Sequence, residues 1–121
     1  MALRGIRGAI TVKENSEEEI YHAAQFLVTK IMSANMLSPS EVGAIIFSST
    51  KDLTAAFPST GVRKMSGGFH LVPLFDTVEP DVKNSLPMCV RVLILLDSDK
   101  APEEIYHVYE GGAKNLRPDL A

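Results

Sequence analysis

Residues 88–96 read M-C-V-R-V-L-I-L-L, and this stretch decides the fold. Its length and its β-branched content are typical of a strand. Its apolar side chains alternate onto both faces, with Cys89, Leu93 and Leu95 on one and Val90, Val92, Ile94 and Leu96 on the other. A strand that is apolar on both faces normally lies in the middle of a sheet with a layer on each side. We therefore predict a central strand that is covered on both faces.

Arg91 interrupts this apolar run on the face of Cys89 and Leu93. A guanidinium group stays charged because its pKa lies above about 12. Such a buried cation needs an anion beside it, which the protein or a ligand can supply. The strand alone leaves open a structural ion pair and a ligand site, and we favour the ligand site.

Size and composition indicate one domain over residues 1–121, since this length suffices for a hydrophobic core. The net charge is −3 and no basic run is present, so nucleic acid is not expected as a partner. No apolar run approaches the roughly 20 residues that span a bilayer, and the N-terminus has no apolar signal-peptide core. We expect a cytoplasmic protein that does not bind membranes. One cysteine excludes an internal disulfide, and the three histidines lack metal-ligand spacing, so no metal is expected.

The rest of the chain predicts an α+β fold, in which a mixed sheet packs on one long helix and one or two short ones. Ser16 and Glu19 have the spacing of a capping box, and the long helix should end near Asn35. Its buried stripe is predicted to be Ile20, Ala24, Leu27, Ile31 and Ala34. The other predicted elements are strands within 3–12, 42–50, 69–75 and 106–109 and a short helix that starts at 58 and carries residue 63.

The remaining polar side chains indicate a site for a small carboxylate-bearing ligand. They are three arginines (Arg7, Arg63 and Arg91), Glu79 in the long connection 76–87, and Tyr109 on a late strand. The guanidinium fork matches the geometry of a carboxylate. Neither a nucleophile elbow nor a dinucleotide-binding glycine pattern is present. These residue types alone specify a small anion and no particular reaction.

Eight short motifs identify a family by their order along the chain. They are R-G-I-R-G-A-I-T-V at 4–12, A-F-P at 56–58, V-R at 62–63, V-P at 72–73, Glu79, C-V-R-V at 89–92, H-V-Y at 107–109 and L-R-P-D-L at 116–120. Each motif is weak alone, but together they cover essentially the whole chain. In this order they make the sequence resemble the monofunctional, trimeric chorismate mutases of the Bacillus type, and not the all-helical class.

This resemblance implies the rearrangement of chorismate to prephenate, without a cofactor, on the route to phenylalanine and tyrosine. It also implies a homotrimer whose sheets form a pseudo-α/β barrel, with active sites between subunits. By position, Arg91 would lie at the ether oxygen of the substrate, Arg7 and Tyr109 would contact its carboxylates or hold the pocket, and Glu79 would bond its ring hydroxyl.

The same resemblance implies two further groups of substrate-lining residues. A loop over 75–79 would line the site with Phe75, Asp76, Thr77, Val78 and Glu79. The adjoining chain would supply a lid made of Phe57, Arg63 and an extended tail that includes Leu116 and Arg117.

Four positions depart from the family pattern. Ser59 and Gly61 replace common alanines, which we expect to weaken the short helix, and Glu110 replaces a usual leucine. Asp76 stands where a neutral residue such as cysteine is familiar. A second carboxylate near Glu79 would repel a dianionic substrate, unless its side chain points away or only its backbone N–H contacts the ligand.

Two alternatives remain on the same kind of scaffold. One is an enamine/imine deaminase of the related trimeric fold, which also uses an arginine at the subunit interface. The other is a trimeric module that binds small carboxylates without catalysis, because a fold does not determine the function of its site.

Overall fold

A five-stranded mixed sheet forms the centre of the computed structural model, which describes residues 2–117. The strands are β1 (Ala2–Thr11), β2 (Val42–Ser49), β3 (Leu74–Val78), β4 (Cys89–Ser98) and β5 (Val108–Glu110). Their spatial order is β3-β2-β4-β1-β5. β4 pairs antiparallel with β1 and β2, and the outer strands pair parallel with their neighbours. The predicted mixed α+β fold with a central β4 is confirmed.

Two helices accompany the sheet, α1 (Glu17–Ala34) and α2 (Pro58–Arg63). Single 3-10 turns occur at Pro39–Glu41, Phe69–Leu71, Pro102–Glu104 and Gly111–Asn115. The Ser16 hydroxyl accepts the Glu19 N–H at 3.2 Å, which starts α1 as predicted. Asn35 caps the other end, again as predicted. The predicted stripe is buried except at Ala34, which is exposed.

The main core lies between α1, α2 and one face of the sheet. Ile6 of β1 and Val90 and Ile94 of β4 are completely buried there. α1 contributes Ile20, Ala23, Ala24, Leu27, Val28, Ile31 and Met32. Each fully buried Ile, Leu or Val side chain contributes about 1.5–3 kcal/mol by leaving water. This layer therefore stabilises one side of the sheet.

The other face of β4 is open from Arg91 onward within the described residues, whereas Cys89 at its start is buried against Tyr109 and Ala113. Leu93 is 36% exposed, and Leu95 and Arg91 are only partly buried. Neither helix packs on this side. The described residues therefore cover one face of β4 completely and the other face only around Cys89.

The strand predicted over 69–75 is present but begins later, at Leu74. Phe69–Leu71 forms a 3-10 turn after Gly68, whose φ of 101° is in the left-handed region. The turn buries Phe69 in the core. Pairing with β2 begins only where the Pro73 carbonyl accepts the Ile45 N–H at 2.9 Å. β3 consequently lies later, and residues 76–78 belong to a strand and not to the predicted connection.

The last strand is shorter than predicted. It begins at Val108, because Asn35 binds the backbone of Tyr106 instead of the sheet. The Asn35 side chain donates to the Tyr106 carbonyl and accepts from its N–H, both at 2.9 Å. As a result Tyr106 is exposed, whereas Tyr109 is buried.

Candidate functional site

A groove of about 350 Å³ opens on the accessible face of the sheet. It is lined by Arg7, Gly8, Ala9, Ile46, Ser48, Glu79, Arg91, Val92, Leu93 and Tyr109. Four of the residues predicted for the site, Arg7, Glu79, Arg91 and Tyr109, thus come together from β1, β4, β5 and the residue after β3.

The register of the sheet explains this grouping. Arg91 of β4 lies opposite Ala9 of β1 and Ser48 of β2, and Ala9 in turn lies opposite Tyr109 of β5. Residues directly opposite each other in a sheet project to the same face. Since Ala9 and Ser48 are small, they leave room on either side of the long Arg91 side chain.

Arg91 and Tyr109 carry polar atoms that are buried without a hydrogen-bond partner in residues 2–117. These atoms are the Arg91 Nε and the Tyr109 hydroxyl oxygen. The Arg91 side chain is 26% exposed, and its Nε lies 3.4 Å from the Glu79 Oε2. A buried donor without a partner costs about 1–3 kcal/mol. An anionic ligand in the groove would remove this cost.

Glu79 is fixed at both its backbone and its side chain. Its N–H donates to the Ser49 carbonyl at 2.8 Å, which continues the pairing of β2 with β3 by one residue. Its Oε1 accepts from the Ser48 hydroxyl at 2.5 Å. The carboxylate therefore enters the groove in one defined position.

Arg7 is exposed at the edge of the groove, and its backbone is bound to His107. The Arg7 N–H donates to the His107 Nδ1 at 2.9 Å. Burial lowers the pKa of His107 below its ordinary value, and the nearby charges of Arg7 and Arg117 lower it further. A neutral imidazole with an unprotonated Nδ1 is what this hydrogen bond requires.

Ser48 and His107 were not among the predicted site residues. A polar residue directly after the buried Phe47 of β2 was a sequence signal for Ser48. His107 was present in the H-V-Y motif, but its contact with Arg7 joins residues 100 positions apart.

Several other predicted site residues lie away from Arg91. A second groove of about 570 Å³ is lined in part by Phe57, Asp76, Thr77 and Val78. Phe57 is 68% exposed and Val78 is 76% exposed. Phe75 and Arg63 are also exposed. A single chain therefore does not bring these side chains to the groove that contains Arg91.

Two of the departures from the family pattern contact each other. The Asp76 carboxylate accepts the backbone N–H of Ser59 at 3.2 Å and also the Ser59 hydroxyl. These bonds connect β3 to the first turn of α2. Gly61, the third departure, lets α2 approach α1 closely, because a Cβ there would lie 2.8 Å from the Tyr21 Cα. Glu110, the fourth, forms an ion pair with Lys30.

The start of the C-terminal tail packs on its own chain. Leu116 is partly buried against a small cluster made of Ala9, Cys89, Tyr109 and Ala113. The tail over 116–120 was predicted to be extended, but Leu116 has helical backbone angles, with φ of −66° and ψ of −40°. Residues 118–120 lie outside the described part of the chain.

Residues 2–117 contain no group of three or more His, Cys, Asp or Glu side chains that could hold a metal ion. Neither of their two α-helices is both long and apolar enough to cross a bilayer.

Comparisons with known proteins agree over nearly the full length. The sequence model of the family "Chorismate mutase type I" matches residues 3–120. Chorismate mutase AroH of Thermus thermophilus is 45% identical over 119 residues, which are 98% of this chain and 96% of that protein. Chorismate mutase AroH of Bacillus subtilis (strain 168) is 40% identical over 121 residues, 100% of this chain and 94% of that protein. A solved chorismate mutase from Clostridium thermocellum has a TM-score of 0.87 and 40% identity, covering 92% of this chain and 97% of its own.

Proposed function

The chain belongs to the type I chorismate mutase family, and from this premise we propose how its groove rearranges chorismate to prephenate. The protein is a chorismate mutase, an isomerase of aromatic amino acid biosynthesis. The deaminase alternative loses its support, because the family and the relatives that match are chorismate mutases.

The assignment of roles rests on two buried polar atoms without hydrogen-bond partners in residues 2–117, the Arg91 Nε and the Tyr109 hydroxyl oxygen. Both lie in one groove with the exposed Arg7 and the fixed carboxylate of Glu79. The groove thus offers two guanidinium groups and a hydroxyl to a dianion. We assign the substrate carboxylates to Arg7 and Tyr109 and the ring hydroxyl to Glu79.

Arg91 supplies the main stabilisation of the transition state in this proposal. As the ether C–O bond breaks ahead of C–C bond formation, negative charge grows on the ether oxygen and positive charge grows on the ring. A fixed cation at that oxygen binds the transition state more strongly than the substrate, which raises kcat. Glu79 complements the positive ring.

No covalent intermediate, proton transfer or redox step is needed for this unimolecular reaction. The enzyme has to hold a flexible dianion in its compact, reactive conformer, and oriented guanidinium groups can do this. We therefore propose that catalysis requires no cofactor.

We further propose that the site is completed by a second copy of the chain within a homotrimer, whose sheets form the barrel-like core. Leu93 and Leu95 on the open face, together with Phe57, Phe75 and Val78, are apolar side chains that a monomer leaves in contact with water. A neighbouring copy could cover this face and bring Phe57 and Arg63 to the groove. Asp76 and Thr77 would line the completed site, and Leu116 and Arg117 would belong to its lid.

The direct test is the loss of chorismate absorbance with purified protein in the presence of EDTA. Wild-type protein should convert chorismate to prephenate. Arg91→Ala should lose more than the roughly 10²–10³-fold typical of one oxyanion donor. Arg91→Lys should also be poor, because an ammonium group does not reproduce the planar fork.

A matched control is Arg4→Ala. Arg4 lies on β1 outside the groove, where its Nε donates to the Lys100 carbonyl at 2.8 Å. This variant should keep near-normal kcat. An Arg91→Ala protein with near-normal kcat would overturn the role assigned to Arg91, and an inactive wild type would favour the carboxylate-binding module.

A further inference from the structure

Two opposite charges in the groove form an ion pair but no hydrogen bond. The Arg91 Nε and the Glu79 Oε2 are 3.4 Å apart, and the Nε has no hydrogen-bond partner in the described chain. Charge-assisted N–H···O bonds normally close to about 2.7–2.9 Å. Both side chains are largely shielded, at 26% and 20% exposed. The separation therefore needs a cause.

Ser48 binds the other oxygen of the same carboxylate. Its hydroxyl donates to the other carboxylate oxygen of Glu79, Oε1, at 2.5 Å. Because Ser48 lies directly opposite Arg91 in the register of β2 and β4, its side chain rises from the same face of the sheet beside the guanidinium. The Ser49 carbonyl on the same strand binds the Glu79 N–H at 2.8 Å. β2 therefore holds Glu79 by its backbone and by one carboxylate oxygen.

We infer that Ser48 is a positioning residue of the mutase reaction: it holds Glu79 Oε1 so that Glu79 does not close onto Arg91. A closed ion pair would neutralise the guanidinium and occupy the N–H group that faces the substrate. With Ser48 in place, the cation remains available to the ether oxygen and the carboxylate to the ring. This inference rests on the proposed roles of Arg91 and Glu79.

The first measurement compares kcat and KM of Ser48→Ala and Ser48→Thr with those of the wild type. Hydrogen bonds to charged groups are the stronger class, so loss of the hydroxyl should lower kcat about tenfold. KM should change less, because the lost interaction acts mainly in the transition state. Ser48→Thr retains a hydroxyl and should stay within about threefold of wild type. Equal losses in both variants, or an unchanged kcat in Ser48→Ala, would overturn the inference.

The second measurement combines Ser48→Ala with Glu79→Ala in a double-mutant cycle. If Ser48 acts only through Glu79, its removal should change kcat by less than about twofold once Glu79 is absent. A full tenfold loss in that background would mean that Ser48 contacts the substrate or supports the fold, and would overturn the inference. Ser33→Ala, on the exposed side of α1, is the matched control and should match wild type in both kcat and melting temperature.

Activity of the wild type in the same assay distinguishes a failure of the role of Ser48 from a failure of the proposed mechanism. An active wild type with an unaffected Ser48→Ala variant removes only the role of Ser48. A wild type without chorismate turnover removes the proposed mechanism, and the inference about Ser48 with it.

Discussion

The two faces of β4 differ in what covers them. On one face, Val90 and Ile94 are completely buried beneath the helices. On the other, Arg91 and Leu93 of the same strand border an open groove. Successive side chains of a strand point to opposite faces, so these two environments are one residue apart. In the proposed mechanism, one strand therefore carries stability on one face and the reaction on the other.

This difference between the two faces shows that an apolar pattern predicts burial of a side chain but does not indicate which part of which chain covers it. Leu93 and Leu95 match the buried face in residue type, yet neither α1 nor α2, the α-helices of residues 2–117, covers them. A layer from another copy leaves the same signal in the sequence as a layer from the same chain. Within residues 88–96, only the charged side chain of Arg91 distinguished one face of the strand from the other.

The largest effect expected on stability comes from the covered face. Ile94→Ala should lower the free energy of unfolding by about 2–5 kcal/mol, since it leaves a cavity in a fully buried site. Its kcat per folded molecule should stay near wild type. Urea denaturation and an active-site titration measure the two quantities.

Arg91→Met, on the other face of β4, should impair activity and leave stability nearly unchanged. It should abolish most of the activity while changing the free energy of unfolding by less than about 1 kcal/mol, because removing a buried Nε without a hydrogen-bond partner offsets the loss of its 3.4 Å ion pair with Glu79. If Ile94→Ala impaired kcat as strongly as Arg91→Met, the two faces would not have separate roles.

A smaller effect is expected at the link between β3 and α2. Asp76→Ala should cost about 1–2 kcal/mol, since it removes both hydrogen bonds, whereas Ser59→Ala should cost less, because its backbone N–H still donates to Asp76. The double variant should cost little more than Asp76→Ala alone. Asp97→Ala, at an exposed position of β4, is the control. Additive losses at Asp76 and Ser59 would show that their contact contributes nothing.

The smallest effect is a pH dependence at His107. Its pKa is lowered in the folded protein, so the unfolded chain binds its proton more readily. The stability it contributes is present above the unfolded pKa of about 6.5 and is lost as the pH falls through the lower, folded pKa. His107→Gln should flatten this part of the stability curve between pH 7 and 5. An unchanged slope would mean that other groups cause it.

Local patterns predicted much of this fold. The β4 run, the Ser16 cap of α1 and Pro58 of α2 each specify their element through nearby residues alone. The bounds of β3 could not be found in this way, because Phe69 is an apolar anchor of a turn and resembles a strand residue. Residue type and spacing therefore predicted where most elements lie. They did not predict which residues of the edge strand β3 pair with β2.

The candidate site was predictable only in part. Arg91 was conspicuous as a charge within an apolar run, and residue types also singled out Arg7, Glu79 and Tyr109, for which the resemblance supplied roles. Ser48 acquires its contact through the register of β2 with β4, which no local pattern encodes. The same holds for His107, whose partner lies on the first strand.

The central claim is that the open face of β4 carries the reaction and that a second copy completes it. Arg91→Ala and Arg63→Ala should each be strongly impaired, since each removes one of the two contributions. When the two variants are unfolded together and refolded as a mixture, mixed trimers should contain some sites with both arginines. Activity should then return to about a quarter of the wild-type value. Mixed trimers, verified by native mass spectrometry, that remained as inactive as the separate variants would contradict the claim.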